Sequence, residues 1–186
     1  MGDFYSRLFF GRLAWQKTTF FYIVSDKYIE YLLKIESHVM RNKSQERTYH
    51  RKYVGVLTEL NGFRNFIPMS SPKAKDYDNG KIKKNNLTTI YIRSKNKLYG
   101  TLRFNSMIPV PESELSLYRI NDEGDFSYKL LMLGEYNFCK ENRDKIEKTA
   151  KNLYEKKCNV SENEFPVGKI VIDFKRVEDA CSKYKK

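Results

Sequence analysis

Tyr53-Val54-Gly55-Val56-Leu57-Thr58-Glu59-Leu60-Asn61-Gly62-Phe63-Arg64-Asn65-Phe66-Ile67-Pro68 is two β-rich runs on either side of an Asn-Gly pair. Both central positions of a type I′ turn need φ > 0, which asparagine tolerates and glycine adopts freely. The stretch therefore predicts an antiparallel hairpin turning at Asn61-Gly62. Upstream, Phe20 to Val24 is a short β-prone run, followed by Ser25 or Asp26 as a helix cap. Tyr28, Ile29, Leu32, Leu33 and Ile35 then recur at helical spacing, predicting an amphipathic helix from Asp26 to about Val39. Arg41 to Lys52 is polar and basic and reads as a loop.

Downstream of the hairpin come Met69-Ser70-Ser71-Pro72-Lys73 and a Lys/Asn-rich stretch to Asn86, read as a loop. Leu87–Arg93 and Leu98–Phe104 predict a second strand pair around Ser94 to Lys97, and Met107 to Pro111 an extended segment. Helices are predicted around Tyr128–Phe138 and from Arg143 to about Lys157. Lys169 to Ile172 reads as a last strand, and Asp173 to Lys183 as a closing helix. There is no internal repeat and no linker. The pattern predicts an α+β fold, one domain over residues 20–186, with an antiparallel sheet and helices packed around it.

Residues 1–19 stand apart. Phe4, Tyr5, Leu8, Phe9, Phe10, Leu13 and Trp15 make an aromatic stretch that Arg7, Gly11 and Arg12 interrupt. That interruption argues against a signal peptide. A translated leader, an extension introduced in expression and a helix packing on the domain all remain open.

In 186 residues, 40 % hydrophobic and 15 % aromatic, there is enough material for a buried core. The 35 Lys+Arg against 23 Asp+Glu leave a net charge of +12 and a pI near 9.5. This excess suits a polyanionic partner such as RNA, DNA or anionic lipid, and is equally compatible with a lysine-rich solvated surface. Cys139, Cys158 and Cys181 form no Cys-x-x-Cys pair and lie far in sequence from His38 and His50, so no structural zinc pattern is present. They read as free thiols in a reducing cytoplasm. No run reaches the ~20 apolar residues of a spanning helix.

Ser70, Ser71 and Lys73 sit together where the hairpin ends, and Pro72 stiffens the segment by holding its own φ near −65°. Hydroxyls and an ammonium so placed could grip a phosphate; on local evidence alone, the tetrapeptide reads first as a capped turn. Antiparallel geometry brings the start of one hairpin strand beside the end of the other. Tyr49 and Arg51 are thus expected near Ser70, Ser71 and Lys73, with no carboxylate among them. Such a pocket lacks the oxygen ligands a magnesium nuclease needs. It suits RNA cleavage by the neighbouring 2′-hydroxyl, assisted by proton transfer and cationic stabilisation. His50 is a candidate acid or base but reads first as a surface histidine in a basic loop; His38, at a helix end, reads as structural. Lys52, Lys75, Lys81, Lys83, Lys84, Arg93, Lys95 and Lys97, interleaved with Tyr77, Tyr91 and Tyr99, could track a single strand. Tyr91 is read as a core residue.

Four segments in order carry a family resemblance: Tyr22 to Leu32, Tyr53 to Gly62, Ile67-Pro68-Met69-Ser70-Ser71-Pro72-Lys73, and Met107 to Pro111. Together they resemble the ToxN/AbiQ family, RNase toxins of type III toxin–antitoxin systems active in abortive phage infection. The resemblance implies a fold related to the MazF/Kid and CcdB toxins. It also implies cytoplasmic RNA cleavage without metal or other cofactor, leaving 2′,3′-cyclic phosphate and 5′-hydroxyl ends. The implied partners are cellular or phage RNA and an inhibitory, repeat-derived antitoxin RNA folded as a pseudoknot, in a ring such as a 3:3 assembly. The family's serine and lysine match Ser71 and Lys73, the preceding hydroxyl Ser70, and the upstream tyrosine Tyr49. For the next basic residue Arg51 is the candidate and Lys52 the fallback. A non-catalytic RNA-binding protein, or one held at a membrane surface by its N-terminus, are the competing readings.

Overall fold

The computed structural model of the chain describes residues 21–42, 48–55, 59–95, 97–161 and 164–185. The expected aromatic extension at residues 1–19, with Phe20, lies outside them.

The hairpin forms as its turn chemistry dictates. Strand β2 (Tyr53–Gly55) pairs antiparallel with β3 (Asn65–Ser70), with Tyr53 opposite Pro68 and Gly55 opposite Phe66. Asn61 and Gly62 both have positive φ, 51° and 78°, inside a Leu60–Phe63 bridge. Every side chain of β3 is buried, as a central strand requires. On its other flank β3 changes partner: Asn65 and Phe66 pair with β8 (Ile108–Pro109), and Met69 and Ser70 with β7 (Lys97–Arg103). Pro68, which has no N–H to give a ladder, stands between the two pairings.

The remaining strands extend this sheet. β1 (Phe21–Val24) lies beside β2, and β6 (Thr89–Ser94) beside β7, giving the order β6-β7-β3-β2-β1 with β8 alongside β3 and a further strand beyond β1. All of these pairs are antiparallel. The outermost strand β9 (Leu115–Tyr118) was not expected from sequence. Its four residues, only partly buried, carry too short an alternation to register.

Helix α1 (Asp26–Leu33) starts at Ser25, whose hydroxyl oxygen accepts from Tyr28 N–H at 3.2 Å. It buries Tyr28, Ile29 and Leu32. It stops six residues before the expected end at Val39. There the Glu36 carboxylate accepts from the backbone N–H and ring Nδ1 of His38 and from Asp173 N–H, pinning the chain in a turn. The longer C-terminal helices match expectation. α2 (Phe126–Glu141), α3 (Arg143–Asn159) and α4 (Phe174–Lys183) are present, with Asp125 and Asp173 capping α2 and α4. α2 lies across β6 and β7, α3 packs on α4, and α4 packs on β8.

Two further readings are corrected. The expected loop between Lys73 and Asn86 contains a 3-10 turn at Ala74–Asp76 and a small hairpin, β4 (Tyr77–Asp78) with β5 (Lys81–Ile82). Its turn is again Asn-Gly, Asn79 and Gly80 at φ 47° and 75°. The lysines around it mask the signal. In place of the expected strand Lys169–Ile172, Lys169 and Ile170 close a 3-10 turn at Pro166–Ile170, and Val171 and Ile172 follow it without joining a strand. Ile170 is exposed while Val171 and Ile172 plug the core, and Ile172 N–H donates to Asn105 O, not to a strand ladder. A four-residue apolar run does not by itself distinguish these outcomes.

Candidate active site

Where β2 begins and β3 ends, a cleft of about 460 Å³ opens between the sheet and α2. One wall is the strand pair, with Tyr49, His50, Arg51 and Lys52 on one side and Met69, Ser70, Ser71 and Pro72 on the other. The facing wall is α2, with Tyr128, Leu131, Met132 and Glu135, and Tyr99 of β7 joins them. The hairpin ladder brings the strand residues together: Met69 N–H donates to Lys52 O at 2.9 Å. Tyr49, Arg51, Ser70 and Ser71 therefore share one cavity, as their spacing predicts.

Each polar group has its own environment. Ser70 is buried beside Thr101 of β7, whose hydroxyl donates to Ser70 O, while Ser71 is exposed at the surface of the cleft. Arg51 is 4 % exposed and acts as a clamp. Its Nη1 donates to Met69 O at 2.6 Å, and its Nε and Nη2 to Arg41 O at 3.3 and 3.2 Å. The Lys52 ammonium donates to His50 O at 3.0 Å and lies 4.1 Å from the centre of the Tyr118 ring. Burial lowers its pKa.

Tyr49 stacks flat on Tyr128, centroids 3.7 Å apart, and its hydroxyl donates to Asp125 at 2.5 Å. That bond to a carboxylate pushes the phenol up to about 12, and the same bond holds Asp125 below the usual carboxylate range. Asp125 also caps α2 through Tyr128 N–H, so one residue starts the helix and orients the tyrosine.

Lys73 does not join the cleft wall, which ends at Pro72. The Lys73 side chain is exposed, and its backbone N–H donates to Asp76 Oδ2 at 2.9 Å. Asp76 is 1 % exposed and pairs with Arg103 Nη2 at 2.7 Å, tying the Ser-Ser-Pro-Lys segment to β7. Lys75, Lys81, Lys83, Lys84 and Arg93 are exposed and lie outside the cleft, on the 3-10 turn, the β4–β5 hairpin with the stretch after it, and β6. Tyr77, Lys95, Lys97 and Tyr99 line a shallow hollow that meets the cleft at Tyr99. Tyr91 is 4 % exposed, a core residue as read.

The expectation of a pocket without carboxylates is overturned. Glu135 lines the cleft and is 6 % exposed. It comes from α2, more than sixty residues beyond the hairpin, so no local spacing placed it there. One signal was available: Met132, Glu135 and Cys139 form the buried stripe of α2, and an acid on such a stripe is out of pattern. Among the described residues no group of three or more His, Cys, Asp or Glu is placed to hold a metal ion.

A profile of the ToxN toxins of type III toxin–antitoxin systems matches residues 20–182. The chain belongs to the ToxN toxin family. It is 33 % identical over 171 residues to Endoribonuclease ToxN of Bacillus thuringiensis subsp. kurstaki, covering 89 % of this chain and 84 % of that one. It is 32 % identical over 182 residues to Endoribonuclease AbiQ of Lactococcus lactis subsp. lactis, covering 96 % of each. Among solved structures, a toxin described as selectively inhibited by a non-coding RNA pseudoknot superposes with a TM-score of 0.78 at 31 % identity. That match covers 91 % of this chain and 99 % of the other. The structure of AbiQ, a lactococcal anti-phage endoribonuclease, superposes at 0.74 with 30 % identity, covering 89 % and 96 %. The family is thus one of endoribonuclease toxins, and its fold is the antiparallel sheet with helices described above.

Proposed function

We propose that this cleft cuts RNA without a metal ion, by attack of the 2′-hydroxyl on the adjacent phosphorus. The products are a 2′,3′-cyclic phosphate and a 5′-hydroxyl. The observation that carries this reading is the convergence of Ser70, Ser71, Tyr49, Arg51 and Lys52 on one cavity in a chain of the ToxN family. Ser71, exposed in the cleft, is the residue assigned to the reacting phosphate, where its hydroxyl donates to a nonbridging oxygen. The Lys52 ammonium supplies positive charge, Arg51 fixes the strand carrying Met69 and Ser70, and Tyr49 stacks at the mouth. Lys73 is assigned to the incoming strand at the rim.

The same reading extends to partners. The net charge of +12 and the path from the cleft across Tyr99 to Lys97, Lys95 and Tyr77 suit a single strand whose bases stack on exposed rings. Lys75, Lys81, Lys83, Lys84 and Arg93 would draw its backbone. A pseudoknot antitoxin RNA cut from its own repeat is the proposed inhibitor, assembled with toxin in a ring such as 3:3, in the cytoplasm during phage defence. The kinship with MazF, Kid and CcdB toxins, and residues 20–186 as one toxin domain, belong to this proposal. Among the described residues no helix is long and apolar enough to cross a membrane.

Incubating purified protein with RNA in EDTA and identifying the end groups tests the reading. Cyclic phosphate and 5′-hydroxyl ends are expected, with Ser71→Ala slowing cleavage by about 10²–10³-fold while RNA binding persists. Cleavage that disappears in EDTA would overturn the metal-free mechanism, and intact RNA throughout would leave a binding protein.

A further inference from the structure

Cleavage at a phosphodiester requires a proton for the departing 5′-oxygen, and three cleft groups anticipated from sequence, Arg51, Tyr49 and Lys52, supply it poorly; the exposed His50 on the same wall is the competing donor that the test below separates. Arg51 does not deprotonate and is spent on backbone carbonyls. The Tyr49 hydroxyl is committed to Asp125. The Lys52 ammonium donates to His50 O and rests over the Tyr118 ring.

Glu135 is different. It lines the cleft opposite the serines, is 6 % exposed, and no hydrogen bond from a described residue contributes to its ionisation. The space it occupies exists because β7 carries a glycine there. A Cβ on Gly100 would stand 2.3 Å from Glu135 Oε1 and 3.2 Å from the Ser70 carbonyl oxygen. The carboxyl therefore lies over the strand that pairs with Ser70, on the cavity side. Burial pushes its pKa up to about 8, against the opposing pull of the Lys52 ammonium. At neutral pH the group holds a proton and has no described partner to keep it.

We propose that Glu135 is the general acid of this cleft, delivering its proton to the 5′-oxygen as the P–O5′ bond breaks. The inference rests on the RNase reading above. The 2′-oxygen forms the new bond to phosphorus with its own electron pair, and its proton passes to water in the open mouth. The electron pair of the broken P–O5′ bond stays on the 5′-oxygen and takes the Glu135 proton. The carboxylate left behind recovers a proton from water before the next turnover. A neutral carboxyl in a buried pocket beside a lysine is an economical store for such a proton, because burial disfavours its loss until the leaving oxygen becomes basic.

The test compares two RNAs under single-turnover conditions with the full chain: an ordinary oligonucleotide, and one with sulfur replacing the bridging 5′-oxygen at the mapped cleavage site. A thiolate leaves without a proton. Glu135→Gln keeps size and polarity but has no proton to give. It is expected to cut ordinary RNA about 10²–10⁴-fold more slowly and the sulfur-bridged RNA at the rate of the unsubstituted protein. Gly100→Ala, which drives a methyl into the place of Oε1, is expected to show the same selective rescue and carries the test should Glu135→Gln not fold. Equal slowing on both RNAs, or undiminished cleavage of ordinary RNA, overturns the assignment of Glu135 and leaves the RNase reading standing. If the unsubstituted protein cuts neither RNA, the RNase reading falls first and the assignment with it.

Discussion

Glu36, in the turn after α1, and Glu135, on α2 in the cleft, are each 6 % exposed, yet their carboxyls are driven in opposite directions. Burial raises both. At Glu36 two N–H donors of the backbone and the His38 ring outweigh it, and the carboxyl is held below the usual range. At Glu135 no such donor contributes, and the carboxyl is pushed up to about 8. The difference follows the donors at each site: Glu36 is held by backbone N–H groups and the His38 ring and fastens the turn, while Glu135 is left to the effect of burial. Asp76, even more buried, is likewise a fastener, accepting from Arg103 and from Lys73 N–H.

The contrast is broken most severely at Asp76. Asp76→Ala strands Arg103 and unties the Ser-Ser-Pro-Lys segment, so denaturant unfolding is expected to show a loss of about 3–5 kcal/mol. A loss under 1 kcal/mol would show that the pair fastens nothing. Glu36→Gln comes next, with an expected loss of about 1.5–3 kcal/mol at neutral pH. The folded pKa of Glu36 is depressed, so its contribution is present above the ordinary carboxylate range and disappears as pH falls through the folded value. Melting curves of the two proteins should therefore converge in acid; a gap that persists there would remove the carboxylate from the account.

Glu135→Gln is expected to act with the opposite sign. A raised folded pKa means stability present below the ordinary carboxylate range and lost as pH climbs towards about 8. The melting temperature of the unsubstituted protein should fall relative to the glutamine variant over that window. Parallel curves would mean that Glu135 is satisfied after all. The smallest effect is expected from Tyr49→Phe. It keeps the stack on Tyr128, removes one exposed hydrogen bond to Asp125, and should leave the same melts almost unchanged.

Much of the strand wall of the cleft was legible along the chain. Asn61-Gly62 dictates its own turn and the antiparallel return; the strand pairing itself, Tyr53 opposite Pro68, is two residues off the Leu60–Phe63 register and puts Tyr49 and Arg51 beside Ser70 and Ser71. Those are local facts, decided by backbone sterics within about twenty residues. The same logic missed β4 and β5, although Asn79-Gly80 obeys it, because short charged strands carry no apolar alternation. It also read Lys73 into a wall it does not reach, since the chain turns away at Pro72 towards Asp76.

The sequence by itself determined the hairpin, the long helices, the basic surface and one half of the cleft, because periodicity and turn chemistry act over short distances. Only the tertiary structure decided the other half. It laid α2 over β6 and β7, set Asp125 against Tyr49, and brought Glu135 into the space that Gly100 leaves open. Which acid is satisfied and which is left with a proton to give depends on donors from distant strands and helices. Packing assigns them, and no spacing along the chain records it.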